Sequence, residues 1–285
     1  MKTNRLLSVT AIFTLTIVLF SCKKQQVTLA PPTSDIETTF ELSSDQAIAD
    51  NLMEDANNTF MEAAADKNLL GNNFSLQPLT TNNILRTATV TVIPAAGFPK
   101  TIVIDFGNGT ISPNGVTRVG KINIELSDSV RKAGSKAVFT FTNYYVNKFK
   151  KEGTLTWTNT STATTRSWQR KIDNGKVTAP DGSYWLHNGT RDVVQIAGAN
   201  TPNNLLDDIF LITGNHTVTN AAGKTRNCYI TEALQKKTTC DNICTGKLKV
   251  EGGANNAVID FGNGDCDKTA TISINGQEPR IVALQ

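Results

Sequence analysis

The sequence predicts a mainly β fold, an antiparallel meander of hairpins that forms a sandwich or a curled sheet, with one helix on its N-terminal side. Two observations carry this prediction. From Thr87 onward, apolar and polar residues alternate with period two, as in strands that bury one face. Seven Asn-Gly or Asp-Gly pairs occur in the same region, and such pairs are typical of tight hairpin turns. The pairs are at 108–109, 114–115, 174–175, 181–182, 188–189, 263–264 and 275–276.

Residues 1–21 are predicted to be a secretory signal peptide. Lys2 and Arg5 precede the almost wholly apolar run Leu6–Phe20, and a basic start before a short apolar core is typical of such leaders. The run is shorter than the roughly 20 residues that a spanning helix needs. A small residue and then Cys22 follow it, in an arrangement that resembles a bacterial lipobox. We therefore predict lipidation of Cys22, rather than a free cysteine, and a lipid-anchored protein of the bacterial outer membrane.

Residues 22–40 are predicted to be a polar, lipidated tether that contains Pro31-Pro32. Lys23 and Lys24 follow the cysteine directly, whereas lipoproteins exported to the cell surface often carry acidic residues there. The basic residues favour the periplasmic side of the membrane over the cell surface.

Residues 41–70 are predicted to be helical. Ser43 or Ser44 is a suitable N-cap, and apolar residues then recur at helical spacing. These are Ile48, Leu52, Ala56, Phe60 and Ala63. Because the apolar stripe is narrow, we expect the helix to lie against something larger.

Residues 86–285 are predicted to form the β-rich domain. In its clearest strands the alternation assigns one set of side chains to the core: Ile122, Ile124 and Leu126; Ala137, Phe139 and Phe141; and Leu155 and Trp157. The strand order is not specified by this pattern.

Four cysteines lie in the last quarter of the chain: Cys228, Cys240, Cys244 and Cys266. An even number in an oxidising compartment favours two disulfides over a zinc site, and four cysteines allow three connectivities. If 248–251 and 257–260 form a hairpin, Cys240 and Cys266 come opposite each other across it. We therefore expect Cys240–Cys266, with Cys228–Cys244 as the remaining pair.

The segment Ile104–Gly109 recurs as Ile259–Gly264, with the sequence Ile-Asp-Phe-Gly-Asn-Gly in both copies. The repeat predicts two related hairpins or two related halves of the domain. Cys240 precedes Gly246 with five residues between them, and the second copy continues to Asp265-Cys266-Asp267. Together these motifs resemble an uncharacterised family of Bacteroidetes-type lipoproteins with paired DFG-x-G segments. The resemblance implies an exported, β-rich lipoprotein and no particular activity.

Asp260, Asn263, Asp265 and Asp267 place four oxygen-bearing side chains within eight residues, which is a candidate calcium site. A turn in which these side chains bind backbone amides is the alternative. No other cofactor is predicted.

Two surface sites are predicted. Tyr184 and Trp185 are adjacent in a strand, so one of them points away from the core and is a candidate ligand surface. Asp128-Ser129-Val130 matches a short O-glycosylation pattern, which makes Ser129 a candidate acceptor.

The composition excludes an electrostatic surface for nucleic acid, because the formal net charge is only +3 and the signal peptide holds two of the basic residues. The sequence shows no recognisable catalytic constellation. We therefore expect an envelope lipoprotein that is structural or binds protein or glycan, rather than an enzyme. The alternative is a glycan-acting hydrolase with two carboxylates, for which only the repeated Asp105 and Asp260 are candidates.

Overall fold

The computed structural model of this chain describes residues 34–71 and 81–284. In this part of the chain, one α-helix is followed by fourteen strands and one short 3₁₀ helix, Leu205–Asp207. The helix is α1 (Asp35–Asp66). The strands are β1 (Thr89–Ile93), β2 (Lys100–Asp105), β3 (Thr110–Ile111), β4 (Thr117–Leu126), β5 (Lys136–Val146), β6 (Phe149–Asn159), β7 (Ser167–Thr178), β8 (Tyr184–Ala197), β9 (Ile209–Asn220), β10 (Thr225–Lys237), β11 (Thr245–Glu251), β12 (Ala257–Asn263), β13 (Thr269–Ile274) and β14 (Arg280–Ala283).

The fourteen strands form one antiparallel sheet in sequential order, from β1 at one end to β14 at the other, with the short β3 paired beside β4. The predicted mainly β fold class is therefore confirmed, and the sheet is curled rather than folded into a sandwich. The described residues form one compact unit, and the repeated segments lie in a single continuous sheet. Residues 1–21, Cys22 and the tether up to residue 33 are outside the described residues.

The helix begins earlier than the sequence predicted. Its N-cap is Ser34, whose Oγ accepts a hydrogen bond of 3.2 Å from the backbone N–H of Glu37. Ser43, the predicted cap, lies inside the helix and donates to the carbonyl of Thr39 instead. Residues 35–40 of the predicted tether are therefore helical. Within the described ranges, no helix combines the length and the apolarity needed to cross a membrane.

The helix is the centre of the fold. Of its 32 residues, 22 are buried, and they include polar and charged positions on every side. Strands from β4 to β14 supply residues that contact it, from Arg118 on β4 to Arg280 on β14. The helix thus lies against the sheet, which wraps around it and supplies polar partners for the faces outside the apolar stripe.

Aromatic side chains fill the space between the helix and the middle of the sheet. Phe60 of α1 lies edge-on to Phe139 of β5 at 5.0 Å and to Trp157 of β6 at 5.9 Å between ring centroids. Trp157 in turn contacts Trp168 of β7 in a tilted arrangement, with 5.4 Å between ring centroids. The predicted burial of Trp157 is confirmed.

A belt of irregularities crosses the sheet and accompanies its curvature. Pairing shifts register within the β4–β5, β5–β6, β6–β7, β7–β8, β9–β10, β10–β11 and β11–β12 ladders. At Gly120 the backbone of β5 comes so close that an added Cβ would lie 2.0 Å from the Asn143 carbonyl oxygen. Bulges and glycine kinks bend and twist strands, so a row of them curls the sheet. At five further glycines an added Cβ would lie 2.3–2.6 Å from a neighbouring backbone atom: Gly153, Gly175, Gly189, Gly214 and Gly246.

Not all seven glycine pairs form hairpin turns, as their sequence pattern had suggested. Asn174-Gly175 and Asn188-Gly189 lie inside strands β7 and β8. Only Asn275-Gly276 has positive φ at both residues, 51° and 73°, as a type I′ turn requires. The pairs within strands therefore mark points where neighbouring backbones approach closely, rather than chain reversals.

The predicted hairpin at the end of the chain is present, since Val250 pairs with Ala257 and Lys247 with Asp260. The Cys240–Cys266 disulfide is confirmed. The Cys228–Cys244 pair was wrong, because both cysteines are buried free thiols. Cys228 lies opposite Val250 on β11, and Cys244 directly precedes that strand, six positions before Val250. Six residues of extended chain span roughly 20 Å. A disulfide requires Cα atoms within about 7 Å of each other.

Candidate functional site

Two helix carboxylates and two strand arginines form the centre of the buried interior. Arg191 on β8 binds both oxygens of Asp50, at 3.1 and 3.0 Å from Nη2, and Arg170 on β7 pairs with Glu54. The two arginines lie directly opposite each other on neighbouring strands, which alone would be repulsive. Carboxylates one helical turn apart are separated by about 6 Å along the axis, close to the roughly 5 Å between strands. Each arginine therefore meets its own acid.

A third buried pair joins the helix to the early strands. Asp55 accepts hydrogen bonds from Arg118 Nε at 3.1 Å and from the Tyr144 hydroxyl at 3.0 Å. Burial and the charge of Asp55 raise the pKa of Tyr144 well above its usual value, so the phenol stays protonated and continues to donate. A further arginine, Arg226 on β10, binds Asp35 in the first turn of the helix.

Three more basic groups are buried beside these pairs. His187 and His216 lie 6.3 Å apart between ring centroids, and no described residue offers a hydrogen-bond partner to either ring nitrogen of His187 or to Nζ of Lys151. Burial, reinforced by the nearby Lys151 and Arg191 charges, lowers the pKa of His187 to about 3. Burial also lowers the pKa of Lys151 to about 8. Burial, reinforced by the Arg191 charge, also lowers the pKa of His216 well below its usual value, so both imidazoles are neutral at pH 7.

This interior is a structural centre rather than an open cleft. The spaces next to the helix carboxylates are small, with about 20 Å³ beside Asp55 and Arg118 and about 10 Å³ beside Met61 and Phe210. Ligand pockets usually have volumes of about 300–1,000 Å³. The concave face of the sheet is thus occupied by the chain itself, and larger depressions lie on the outside.

A groove of about 310 Å³ lies on the outer face of β8, β9 and β10. Strand pairing places polar side chains in two cross-strand rows there. The first row is Asn188, Thr217 and Asn227, and the second is Thr190, Asn215 and Tyr229. Gly189 and the buried His216 lie between the two rows and also line the groove.

The groups in this groove are suited to hydrogen bonding and stacking. Within the described part of the chain, the side-chain amides of Asn215 and Asn227 have no hydrogen-bond partner. The Tyr229 side chain is 41% exposed beside them. Exposed amides next to a half-exposed aromatic ring can bind a ligand that carries both hydroxyl groups and an apolar face.

The predicted aromatic pair is divided between the two faces of β8. Tyr184 is 38% exposed and lies under the ammonium group of Lys176, 4.6 Å from its ring centroid, whereas Trp185 is buried. Trp185 therefore belongs to the core and not to a ligand surface. Tyr184 is on the outer face of β8, toward the start of the strand from the groove.

The candidate calcium residues bind backbone amides of their own turns. Asp260 accepts from the N–H of Gly262, Asn263 from that of Asp265, and Asp267 from that of Thr269. In the part of the chain that the structure describes, no three acidic, histidine or cysteine side chains come together as a metal site would require. These side chains therefore stabilise turns, as the alternative to a calcium site proposed.

The repeated aspartates have equivalent local roles. Asp105 accepts from the N–H of Gly107 and pairs with Lys121 at 2.8 Å. Asp260 accepts from Gly262 and lies 3.8 Å from Lys247. In each copy the lysine is the register partner on an adjacent strand. Each carboxylate is engaged in its own turn and ion pair.

Ser129, the candidate glycosylation site, is half-buried in a large depression at the loop ends of β4, β6 and β8. Its backbone N–H is bound by the Asp128 carboxylate, and Val130 beside it is buried in the core. The serine is thus at the surface, in an ordered turn.

Sequence reasoning missed the buried charges, although a signal for some of them was present. Arg170 is in phase with Trp168 and Ile172, and Arg191 is in phase with Val193, so the alternation assigns both arginines to the buried face. Their acids lie more than 100 residues earlier in the chain. Because a buried charge without a partner is costly, the alternation alone does not justify placing these arginines in the core.

Comparison with known proteins adds no assignment: no family model, no curated protein and no solved structure matches this chain. The fold and the site therefore define the protein only as a helix-centred, curled antiparallel sheet with a polar groove on its outer face.

Proposed function

We propose that this chain is a lipid-anchored protein of the bacterial outer membrane that binds neutral glycan without catalysis. Cys22 and the apolar run before it support the anchor, and the basic residues after it favour the periplasmic side. The resemblance to Bacteroidetes-type lipoproteins with paired DFG-x-G segments points the same way.

The observation that carries the binding role is the groove on β8–β10. Its two rows hold three asparagines, two threonines and a tyrosine, and no charged side chain lines it. Neutral sugars offer hydroxyl groups to such amides and C–H faces to an aromatic ring. A charged ligand would have no counter-charge there, so we favour a neutral one.

The test is binding of the full-length protein, in detergent, to neutral hexasaccharides of glucose and of mannose. We expect millimolar or tighter binding to one of them, weakened at least tenfold by Tyr229→Ala or Asn227→Ala. Tyr145→Ala, which changes another partly exposed tyrosine on β5, is the matched control. Failure of every probe to bind, or equal loss in the control, would refute the groove as a glycan site.

The anchor needs a separate measurement. Mass spectrometry of the mature protein is expected to show an N-terminal, acylated Cys22. A mature chain with an unmodified Cys22 thiol would remove the lipoprotein part of the proposal and leave the groove untouched.

A further inference from the structure

A depression of about 790 Å³ lies where several strands in the middle of the sheet end. It is formed by the loop after β4, the loop between β6 and β7, and the end of β8. Its lining holds three basic side chains, Arg131, Lys132 and Arg166, and one acid, Asp128. Asp128 is already paired with Lys132. The two arginines are therefore the unmatched charges of this depression.

These arginines differ from those that bind the helix. Arg118, Arg170, Arg191, Arg226 and Arg280 each pair with a carboxylate. No described carboxylate forms an ion pair with Arg131 or Arg166, and the undescribed stretches 1–33 and 72–80 contain no Asp or Glu. The protein thus supplies neither arginine with a side-chain anion.

Both arginines are partly withdrawn from water. Arg131 donates from Nη2 to the carbonyl of Pro202 at 3.3 Å. Nη1 of Arg166 is buried, and no described group within reach accepts its hydrogen bond. Burial, together with the charge of Arg166, lowers the pKa of Arg131 to about 10. Two guanidinium groups that repel each other in a partly dry site are stabilised by an anion bound between them.

The nearest acid beneath the depression does not fill this role. Asp208 is buried and its Oδ1 accepts from Gln195 at 2.7 Å. Burial raises the pKa of Asp208 to about 7, although both arginines oppose that shift, so the carboxyl is only partly charged at neutral pH. It lies behind the lining rather than in it.

We propose that this depression binds a carboxylate or phosphate group carried on a hydroxyl-rich ligand. Arg131 and Arg166 bind the anionic group, and the hydroxyl-bearing residues of the lining contact the rest of the ligand. Those residues are Ser129, Ser161, Thr162, Thr164 and Thr165. The site is separate from the neutral groove on β8–β10, and it does not depend on the function proposed for that groove.

The test is calorimetric titration of the full-length protein at low salt with three probes: inorganic phosphate, trigalacturonate and fully methyl-esterified trigalacturonate. We expect binding of an anionic probe, no binding of the ester, and at least tenfold weaker binding in Arg131→Gln and in Arg166→Gln. Arg86→Gln, an exposed arginine elsewhere, makes the same change in charge and is expected to bind as the unaltered protein does.

The probes distinguish the source of the anion. Binding of phosphate alone would assign a phosphate site, and binding of trigalacturonate with weak phosphate binding would assign an acidic sugar. The proposal is overturned if neither anion binds, if the ester binds equally well, or if Arg86→Gln weakens binding as much as the other two. If Arg131→Gln loses its thermal transition, Arg166→Gln and Arg131→Lys, which retains the charge but not the planar guanidinium group, still decide the question.

Discussion

The buried ion pairs determine how the helix is oriented inside the sheet. Asp50 and Glu54 face Arg191 and Arg170, and Asp55 faces Arg118 on the other side of the helix. A buried pair adds little net stability, because the cost of removing two charges from water offsets their attraction. Rotation or sliding of the helix would leave several buried charges unpaired. We infer that these pairs select one orientation among the many that the small apolar residues of the helix allow.

The Glu54–Arg170 pair gives a direct prediction. Glu54→Leu leaves a buried arginine without its partner and is expected to lower the free energy of unfolding by about 3–5 kcal/mol. Adding Arg170→Met removes the second charge as well, and should restore most of that loss. Urea denaturation of the two variants measures both effects. Lys171→Met, which removes an exposed charge next to Arg170, should change stability by less than about 1 kcal/mol. A Glu54→Leu protein as stable as the original would contradict this role.

The neutral His187 predicts how stability depends on pH. Its pKa is about 3 in the folded protein and about 6.5 when unfolded, so between these values the unfolded chain binds more protons. Stability therefore falls as the pH drops below about 6.5, by up to about 1.4 kcal/mol per pH unit from this group. In His187→Leu that contribution is absent. Asp45 and Asp208, whose pKa values are raised to about 7, act in the opposite direction in both proteins.

The measurement is urea denaturation of both proteins at pH 7, 6 and 5. The difference in unfolding free energy between them should grow in favour of His187→Leu as the pH falls. A difference that is constant with pH would show that His187 is not held neutral.

At the scale of elements, the belt of bulges explains how one sheet encloses a helix. Gly120 on β4 has φ of +80°, and its neighbour across the strands, Asn143, has φ of +46°. The repetition of such sites on successive strands bends the ladder along one line. The same bulges shift the alternation along each strand, so the points where the sheet bends are also the points where a different set of residues begins to face the core.

Gly120→Ala tests this belt, with Gly134→Ala as its matched control. Both glycines have φ of +80°, but a Cβ at Gly134 would meet nothing within 4 Å, whereas at Gly120 it would meet the Asn143 backbone at 2.0 Å. We expect Gly134→Ala to cost only about 1–2 kcal/mol, from backbone strain. Gly120→Ala should cost clearly more, because the β4–β5 ladder must separate. Equal losses in chemical denaturation would argue against close packing at the belt.

The strands could be predicted from the sequence, but the bulges could not. Ile122, Ile124 and Leu126 are buried as the alternation predicts, and so are Ala137 and Phe139. Phe141 keeps the predicted phase, because it lies opposite the buried Ile122 and packs against the core, although it is only partly buried. Beyond it the bulge at Asn143 shifts the inward face to Tyr144 and Val146. The period-two pattern predicts which residues face inward before and after a bulge, but it does not predict where the bulge lies.

The polar groove on the outer face could not be predicted from the sequence, for a related reason. Asn188, Asn215 and Asn227 come from three strands and meet through the register of the sheet. The alternation marks each of them as outward-facing, but their proximity depends on ladders that shift at the bulges. The helix gives a parallel case. Its apolar stripe could be predicted from the residue spacing, but the burial of its acidic residues could not, because it depends on arginines from distant strands.

At the scale of the whole molecule, local and long-range contacts are clearly divided. Nearly every strand pairs with the strand before it and the strand after it, which are short-range contacts along the chain. The helix instead contacts residues as distant as Arg226, 191 positions from Asp35, and Arg280, 243 positions from Glu37. The hairpins therefore have no complete core until the helix is enclosed, and the helix has no partners for its acids until the sheet curls. Each part depends on the other.

This dependence predicts one cooperative unfolding transition. All three tryptophans, Trp157, Trp168 and Trp185, are buried in strands β6–β8, so their fluorescence reports the sheet core. The long helix α1 contributes strongly to the circular dichroism at 222 nm. The two signals should give the same urea midpoint within error, as expected for a two-state domain. Phe60→Ala, which removes the ring packed on Phe139 and Trp157, should move both midpoints together by the equivalent of about 3–5 kcal/mol. Helical signal that persists after the tryptophans are exposed would mean that α1 is stable without the sheet, and would overturn the mutual dependence inferred from the buried charges.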